Sequence, residues 1–256
     1  AVLQPDLPLP DLGRLYNLLS VAAWRQGHYD EGRAHAERAR EIARRAGDRT
    51  IEWRARLSLA TVASFVGDPA EATAEYERCV ARPENFGSER DRAGTHTNLA
   101  MVYREAGRLE EALGQQWLSI RAFEPLGLPF NLALAWTGLG IIRIGRGDLA
   151  EAREAMTEAR TLGTAAGAAR VVVTADVYLA EIASLEGETL EARRRLDEAF
   201  PALTAFEVHD LGCDEAAVRI LRRAGDLEAA RERFETAHEA ARPLPVLHGL
   251  LLMERA

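Results

Sequence analysis

Apolar residues recur along most of the chain at intervals of three or four, which is the spacing of helices with one buried face. In the segment NLAMVYREAGRLEEAL, residues 98–113, one face of a first helix carries Leu99, Ala100 and Tyr103. Gly107 then lets the chain leave that helix in a left-handed turn, and Ala112 begins the inner face of a second helix. The segment therefore predicts a helical hairpin.

The same pattern returns every forty residues. Leucines mark the first helices and glycines mark the turns, at Leu19, Leu59, Leu99, Leu139 and Leu179 and at Gly27, Gly67, Gly107, Gly147 and Gly187, with a shorter sixth copy at Gly225. Small residues recur where the two helices of a hairpin face each other, at Ser20, Ala60, Ala100, Gly140 and Ala180 and at Gly32, Ala72, Ala112, Ala152, Ala192 and Ala230. These positions predict closely packed hairpins, because a large side chain would hold the axes apart. A fixed period of this kind is typical of a solenoid.

The repeats resemble those of the tetratricopeptide repeat (TPR) family in their order of large, small, aromatic and glycine positions. The matching residues are His96, Leu99, Ala100, Tyr103, Gly107, Ala112, Gln116 and Ser119 in the third copy, and Trp136, Leu139, Gly140, Arg143, Gly147, Ala152, Met156 and Ala159 in the fourth. Gln116 and Arg143 stand where the family prefers an aromatic residue. The resemblance implies an all-α fold, a right-handed α-solenoid of TPR helix-turn-helix repeats.

The resemblance also implies a division of the chain. It gives a lead-in at 1–12, six TPR-like repeats within 13–242 at about 13–52, 53–92, 93–132, 133–172, 173–210 and 211–242, and a last segment at 243–256. Copies of forty residues with AGD links are longer than the standard copy of about thirty-four. In this respect they resemble the sensor halves of large bacterial transcription regulators of the MalT-like and SARP or LuxR types, and of related signalling ATPases.

Composition narrows the classes of partner. The formal net charge is -8, all 32 basic residues are arginines, and acidic residues interrupt the densest basic run. Because nucleic-acid binding needs clustered positive charge, we expect no nucleic acid to bind. No long apolar run predicts a membrane span, and the start of the sequence lacks the features of a signal peptide. Two cysteines without paired spacing fit a reducing compartment, so we expect a cytoplasmic location.

The resemblance places the first helices on the concave face, where TPR proteins contact their ligands. The corresponding residues are Arg14, Asn17, Val21, Trp24, Arg54, Leu57, Thr61, Ser64, Thr97, Met101, Arg104, Leu134, Thr137, Ile141, Ile144, Val177, Glu181, Arg219 and Arg222. The middle of this set is apolar and both ends carry arginine. An exposed apolar strip favours a binding function, with Met101, Ile141 and Val177 as anchors for a partner. The alternative is a tightly wound superhelix that buries these residues against itself.

The charged ends of the groove leave two interpretations open. Guanidinium groups at Arg14, Arg54 and Arg104 are suited to carboxylates on a peptide. They are equally suited to a solvated rim. The acidic-peptide clamp of chaperone-binding TPR proteins is not expected, because the chain lacks lysine, and Asn17 and Asn98 fall at different repeat positions.

No catalytic or metal-binding set emerges from the sequence. The histidines show no metal-ligand spacing, Cys79 falls at a small core position, and Cys213 is expected to be partly exposed. We therefore expect no enzyme activity, no cofactor and no metal. The favoured function is a non-catalytic protein or peptide interaction domain, the regulatory part of a larger bacterial regulator. The alternative is a small-molecule sensor, for which Arg104, Thr137 and Glu181 would supply convergent polar groups.

The end of the chain, LPVLHGLLLMERA, is apolar nearly all round, with Leu247, Leu250, Leu251, Leu252 and Met253. The pattern predicts a capping helix or the first helix of a seventh repeat, packed near Phe234 and His238. Its other face would be covered by a second chain, by a downstream helix or by the groove of a neighbour, so self-association through this helix is one hypothesis.

Overall fold

The computed structural model describes residues 7–81, 88–205 and 211–241, and within these ranges the chain forms twelve α-helices and no strand. The helices are α1 Leu9–Arg25, α2 Tyr29–Ala46, α3 Arg49–Val66, α4 Pro69–Val80, α5 Glu89–Glu105, α6 Leu109–Phe123, α7 Pro129–Arg146, α8 Leu149–Ala165, α9 Ala169–Leu185, α10 Thr189–Ala205, α11 Leu211–Arg223 and α12 Leu227–Ala241. A 3-10 turn at Glu124–Leu126 follows α6.

The helices form two compact units, which we describe separately. Unit 1 spans residues 1–107 and contains α1 to α5, and unit 2 spans residues 108–256 and contains α6 to α12. In unit 1, each helix packs against the next one in the chain, and α1 also packs against α3. In unit 2, α7 packs against α8 and α9, and α9 packs against α10 and α11.

Glycines in the left-handed region of backbone space end the helices at regular intervals. They are Gly27, Gly47, Gly67, Gly107, Gly127, Gly147, Gly167, Gly187 and Gly225. The sequence pattern identified the turns inside the hairpins, and the structure adds a second set between hairpins. At one of these links Gly47 ends α2, and the Asp48 side chain caps α3 by accepting a hydrogen bond from the Ile51 N–H at 2.9 Å. Only two residues therefore separate consecutive hairpins at this link.

The close approach predicted from the small residues is confirmed where the helices can be measured. A Cβ atom added to Gly140 of α7 would lie 2.7 Å from Met156 Cε of α8. A Cβ atom added to Gly32 of α2 would lie 3.3 Å from Trp24 Cβ of α1. Ser20 fits the same contact, because its hydroxyl donates to the Gly32 carbonyl at 2.8 Å. Small side chains are needed here to let the two helix axes meet.

Two glycines at the end of α7 provide a matched test of the turn. Gly147 has a φ of 87°, and no atom lies within 4 Å of an added Cβ, so only the backbone conformation opposes a side chain. We expect Gly147→Ala to lower the free energy of unfolding by about 1–2 kcal/mol. Gly145→Ala, in the helix itself, should raise it by roughly 0.5–1 kcal/mol. Urea unfolding measures both changes, and a loss of stability in both variants, or in neither, would contradict this role for Gly147.

The first helices begin a few residues ahead of the repeat boundaries at 13, 53, 93, 133 and 173, since α1, α3, α5, α7 and α9 start at Leu9, Arg49, Glu89, Pro129 and Ala169. The extent of the repeats as units stays a prediction. The predicted last segment, 243–256, lies outside the described residues. Among the described helices, none is both long enough and apolar enough to cross a membrane.

Candidate functional site

A cavity of about 430 Å³ opens in unit 1 between the first helices α1, α3 and α5, with one residue contributed by α4. Its lining residues are Val21, Trp24, Leu57, Ser58, Thr61, Ser64, Phe65, Tyr76, Asn98, Met101, Val102 and Glu105. Most of these side chains are apolar or aromatic, and Glu105 is the one carboxyl group among them, whose pKa is raised by burial and lowered to a lesser degree by Arg104. The cavity therefore offers an apolar surface of the size that small ligands or single side chains occupy.

Three stacked aromatic rings support one wall of the cavity. Trp24 of α1 stacks on Phe65 of α3 with ring centroids 5.7 Å apart and an angle of 23°. Tyr29 of α2 stacks on Phe65 at 5.6 Å and 15°. The Arg25 guanidinium lies 5.6 Å from the centroid of the Trp24 ring. This arrangement fixes the Trp24 and Phe65 rings, so the wall is formed before any ligand arrives.

Neutral polar groups line another part of the cavity. The Thr61 hydroxyl donates to the Leu57 carbonyl at 2.8 Å, so its oxygen is left to accept from the Tyr76 hydroxyl at 3.1 Å. Burial raises the pKa of Tyr76 to about 12, which keeps this hydroxyl protonated at neutral pH. Nearby, the Ser58 hydroxyl donates to Asn17 Oδ1 at 3.2 Å. These groups bring dipoles to the cavity but no charge.

Each of the three arginines considered for a carboxylate clamp already lies beside an acid of its own unit. Arg14 is 3.3 Å from Asp11, Arg54 is 3.8 Å from Asp91, and Arg104 is 3.5 Å from Glu105. These surface pairs are weak, but they cancel the positive charge around the cavity. The geometry therefore favours the rim interpretation over a carboxylate site.

The structure brings together part of the predicted groove. Val21, Trp24, Leu57, Thr61, Ser64 and Met101 all line the cavity of unit 1. Asn17 does not line the cavity but accepts a hydrogen bond from Ser58, which does. Thr97 does not line it either, and its hydroxyl donates to the Ala93 carbonyl within the same helix at 3.4 Å. Phe65, Tyr76 and Asn98 were missed. Phe65 could have been found, because it follows Thr61 by four residues and so lies on the same face of α3.

The predicted groove residues of unit 2 differ from one another in how far they are buried. Val177 is fully buried in a core cluster with Met156, Tyr178 and Ile182, so its prediction as a partner anchor is wrong. The reason is that α11 packs against α9. Ile141 and Ile144 are half-buried against the same cluster, whereas Leu134 is exposed.

The polar groups proposed for a small-molecule sensor are occupied within unit 2. Thr137 is buried and donates to the Ala133 carbonyl at 2.9 Å. Glu181 is buried and accepts two hydrogen bonds from Arg219, at 2.6 and 3.2 Å. Their assignment to an accessible groove is therefore wrong, because each side chain already serves the interior of the unit. Arg222 instead lies beside a second cavity, next to α12.

The two thiols are core residues. Cys79 is buried as predicted, and burial raises the pKa of its thiol to about 12. The expected partial exposure of Cys213 is wrong, because its side chain is fully buried in the cluster that contains Val177. In the described part of the chain, no three His, Cys, Asp or Glu side chains are grouped so as to hold a metal ion.

Two family models, both described as tetratricopeptide repeat, match residues 11–85 and 92–123. Over those residues the chain matches tetratricopeptide repeats. No curated protein matches it in sequence. The matching models describe repeats rather than a catalytic domain, and the first of them spans the helices α1 and α3 that carry most of the cavity wall.

Solved structures share the fold. The apo form of RapI has a TM-score of 0.76 at 14% identity, over 94% of this chain and 87% of RapI. NprR in complex with its cognate peptide NprX has a TM-score of 0.76 at 12% identity, over 97% of this chain and 73% of NprR. The signal transduction ATPase PH0952 from Pyrococcus horikoshii, which has a tetratricopeptide repeat sensor, gives 0.71 at 12% identity, over 96% and 40%. These similarities confirm the predicted class, an all-α fold of TPR-type hairpins.

Proposed function

We propose that this chain is a non-catalytic TPR domain that binds a peptide or protein segment through the cavity of unit 1. We further propose that it acts in the cytoplasm as the sensor part of a larger bacterial regulator. NprR, of similar fold, was solved with a peptide, and PH0952 carries a TPR sensor in a multidomain ATPase. That this larger regulator belongs to the MalT-like type or to the SARP or LuxR types is also part of the proposal.

The apolar cavity between α1, α3 and α5 is the observation that carries the proposal. Burying one Leu or Phe side chain of a ligand would contribute roughly 1.5–3 kcal/mol. That contribution is too small for stable binding by itself. A peptide backbone that runs along the first helices would have to supply further contacts. At the cavity, Asn98 offers an amide, and the Ser64 hydroxyl, which donates to the Ala60 carbonyl at 3.0 Å, offers its oxygen as an acceptor.

The charges around the cavity define which side chains fit. An acidic anchor would meet Glu105 and would find the nearby arginines already paired. It would also lose its hydration to an apolar wall, which is costly for an unpaired ion. An aliphatic or aromatic side chain has no charge whose hydration would be lost on entering the cavity. We therefore propose a ligand segment with an apolar anchor and no acidic residue at that position.

A random peptide library displayed on phage tests this function. The full chain is the target, and Ser64→Trp, which would fill the cavity, is used for counter-selection. We expect the peptides specific to the unchanged chain to share one Leu, Met, Phe or Trp position without an acid there. Peptides with an acidic consensus would contradict the proposed anchor. Binding of a metabolite in this cavity without any peptide would favour the small-molecule sensor, since about 430 Å³ is sufficient for such a ligand.

A further inference from the structure

A buried carboxylate in unit 1 is surrounded by three arginines. Glu75 of α4 is buried. Its oxygens contact Arg56 Nη1 of α3 at 2.9 Å and Arg78 Nη1 of α4 at 2.6 Å, and Arg40 Nη1 of α2 lies 3.8 Å away. A single paired arginine is enough to compensate one carboxylate. The surroundings of Glu75 therefore carry more positive charge than this residue requires.

A second carboxylate extends this group of arginines. Glu52 of α3 accepts hydrogen bonds from Arg44 Nε at 2.9 Å and from Arg56 Nη2 at 3.1 Å. Four guanidinium groups therefore surround two carboxylates, which leaves an excess of two positive charges. We call the four residues the arginine cluster, and they are Arg40, Arg44, Arg56 and Arg78. None of them lines the cavity of unit 1.

Neighbouring acidic residues of α2 and α4 do not cancel this excess. Two of them have arginines of their own, since Glu41 pairs with Arg38 at 2.5 Å and Glu71 pairs with Arg33 at 2.7 Å. Two exposed residues of α2 form no ion pair with any described residue, and their opposite charges offset each other: Glu37 and Arg45. The excess of positive charge therefore stays with the arginine cluster.

Arg40 has hydrogen-bond donors that no described residue accepts. Its side chain is partly buried, and its contact with Glu75 at 3.8 Å is too long for a hydrogen bond. A guanidinium carries five N–H donors in a planar fork that matches a carboxylate or a phosphate. Arg44 and Arg78, which are more than half exposed, add donors at the edge of the same cluster. The cluster therefore combines excess charge with free donors.

The corresponding positions of unit 2, three repeats further along the chain, have an acid where the arginine cluster has Arg56. That acid is Asp176, which pairs with Arg160 at 2.7 Å, and Arg195 pairs with Glu191 at 2.7 Å. Asp176, Arg160 and Arg195 line a cavity of about 470 Å³. Positive and negative charges are balanced there, so the repeat itself does not require the excess found in unit 1.

We propose that the arginine cluster binds a phosphate group, carried either by a small free phosphate or by a phosphorylated side chain of a partner. A phosphorylated side chain has a charge of about −1.5 to −2 at pH 7 and three acceptor oxygens, so it would compensate the excess charge and accept from the free donors of Arg40. The net charge of -8 would repel an extended polyanion such as nucleic acid, so a single phosphate group is the better match. This inference is independent of peptide binding in the cavity of unit 1.

Titration of the full chain with inorganic phosphate tests the site. The Nε–Hε signals of Arg44 and Arg56 in nitrogen-15 spectra report on the cluster, and sodium chloride keeps the ionic strength constant, because salt screens surface charges. We expect phosphate to shift both signals in a saturable way and acetate to shift them weakly at most. Shifts that do not saturate, or that acetate produces equally, would overturn the proposal.

Arg40→Gln removes the free donors, while Arg56 and Arg78 continue to compensate Glu75. We expect this variant to bind inorganic phosphate about tenfold more weakly, because hydrogen bonds to a charged group are lost. Arg160→Gln is the matched control, since Arg160 has the equivalent position in unit 2, and it should bind phosphate as the unchanged chain does. Equal affinities of the two variants would contradict the site.

A second variant makes the test independent of how well Arg40→Gln folds. Arg44→Gln combined with Arg78→Gln changes only side chains that are more than half exposed, and it makes the charge of the cluster equal to that of Glu52 and Glu75. Its affinity for inorganic phosphate should also fall about tenfold or more, and retained affinity would overturn the proposal.

A short peptide with phosphoserine, compared with inorganic phosphate and with the same peptide carrying serine, identifies the source of the phosphate group. Tighter binding of the phosphoserine peptide than of inorganic phosphate would assign the site to a phosphorylated partner. Tighter binding of inorganic phosphate would assign it to a small free phosphate. Equal binding of the phosphoserine and serine peptides, without binding of inorganic phosphate, would overturn the proposal.

Discussion

Replacing Asp214 with alanine is expected to lower the free energy of unfolding of unit 2 by about 3–5 kcal/mol. Asp214 of α11 and Arg233 of α12 form an ion pair whose side chains are 1% and 6% exposed. The Arg233 guanidinium also lies 4.8 Å from the centroid of the Phe200 ring, so it is fixed in place. Removing the carboxylate would leave a positive charge in the interior without its counter-ion.

Asp197→Ala is the control for this prediction. Asp197 pairs with Arg193 at 2.9 Å, but it lies at the surface, so its loss should change stability by less than about 1 kcal/mol. Cys213 provides a local readout, since its fully buried thiol reacts with a thiol reagent only when unit 2 opens. A loss of about 3–5 kcal/mol increases the population of the open state at least a hundredfold, since 1.36 kcal/mol corresponds to a factor of ten. We therefore expect Cys213 to be labelled at least a hundredfold faster in Asp214→Ala than in the unchanged chain. Equal labelling rates in the two variants would contradict a structural role for the buried pair.

Replacing Met101 with aspartate is expected to weaken binding of a selected peptide about thirtyfold, or by about 2 kcal/mol. Met101 of α5 lines the cavity of unit 1, whereas the preceding residues Leu99 and Ala100 are fully buried in the unit and do not line it. The substitution therefore places a charge in the cavity and leaves the buried face of α5 unchanged. Calorimetric titration with the peptide measures the loss.

Leu18→Asp is the matched control, because Leu18 is 65% exposed in the same unit and does not line the cavity. It should bind the peptide as the unchanged chain does. Ile141→Asp, by contrast, is a poor test of binding, since Ile141 packs against the core of unit 2. Retained affinity in Met101→Asp, with normal thermal unfolding, would show that the ligand binds elsewhere.

The turns and the hairpin contacts could be predicted because they depend on local backbone requirements. A left-handed turn needs glycine at one position, as at Gly107, and a close helix contact needs a small residue, as at Gly140. Such requirements leave a mark in the sequence at a fixed period. The pairing of Arg14 with Asp11 was equally accessible, since the two residues are one helical turn apart.

The accessible part of the groove could not be predicted, because it depends on how the following helix covers each first helix. Val177 and Met101 both occupy first-helix positions at which the TPR resemblance implies ligand contact, yet Val177 is in the core of unit 2 and Met101 lines the cavity of unit 1. The difference comes from the packing of α11 on α9, which no residue of α9 encodes by itself. The pairing of Arg54 with Asp91 likewise joins helices that are far apart in sequence.

Carbon-13 labelling of the methionine methyl groups tests the central claim most directly. The chain has 3 methionines, of which Met101 lines the cavity of unit 1 and Met156 is fully buried in unit 2. The unchanged chain is titrated with a peptide selected from the library and, in parallel, with the same peptide carrying aspartate at its apolar anchor position. We expect the selected peptide to shift the Met101 signal in a saturable way and to leave Met156 unchanged, and the aspartate peptide to shift neither. An unmoved Met101 signal with the selected peptide, or equal shifts with both peptides, would contradict an apolar anchor site in this cavity.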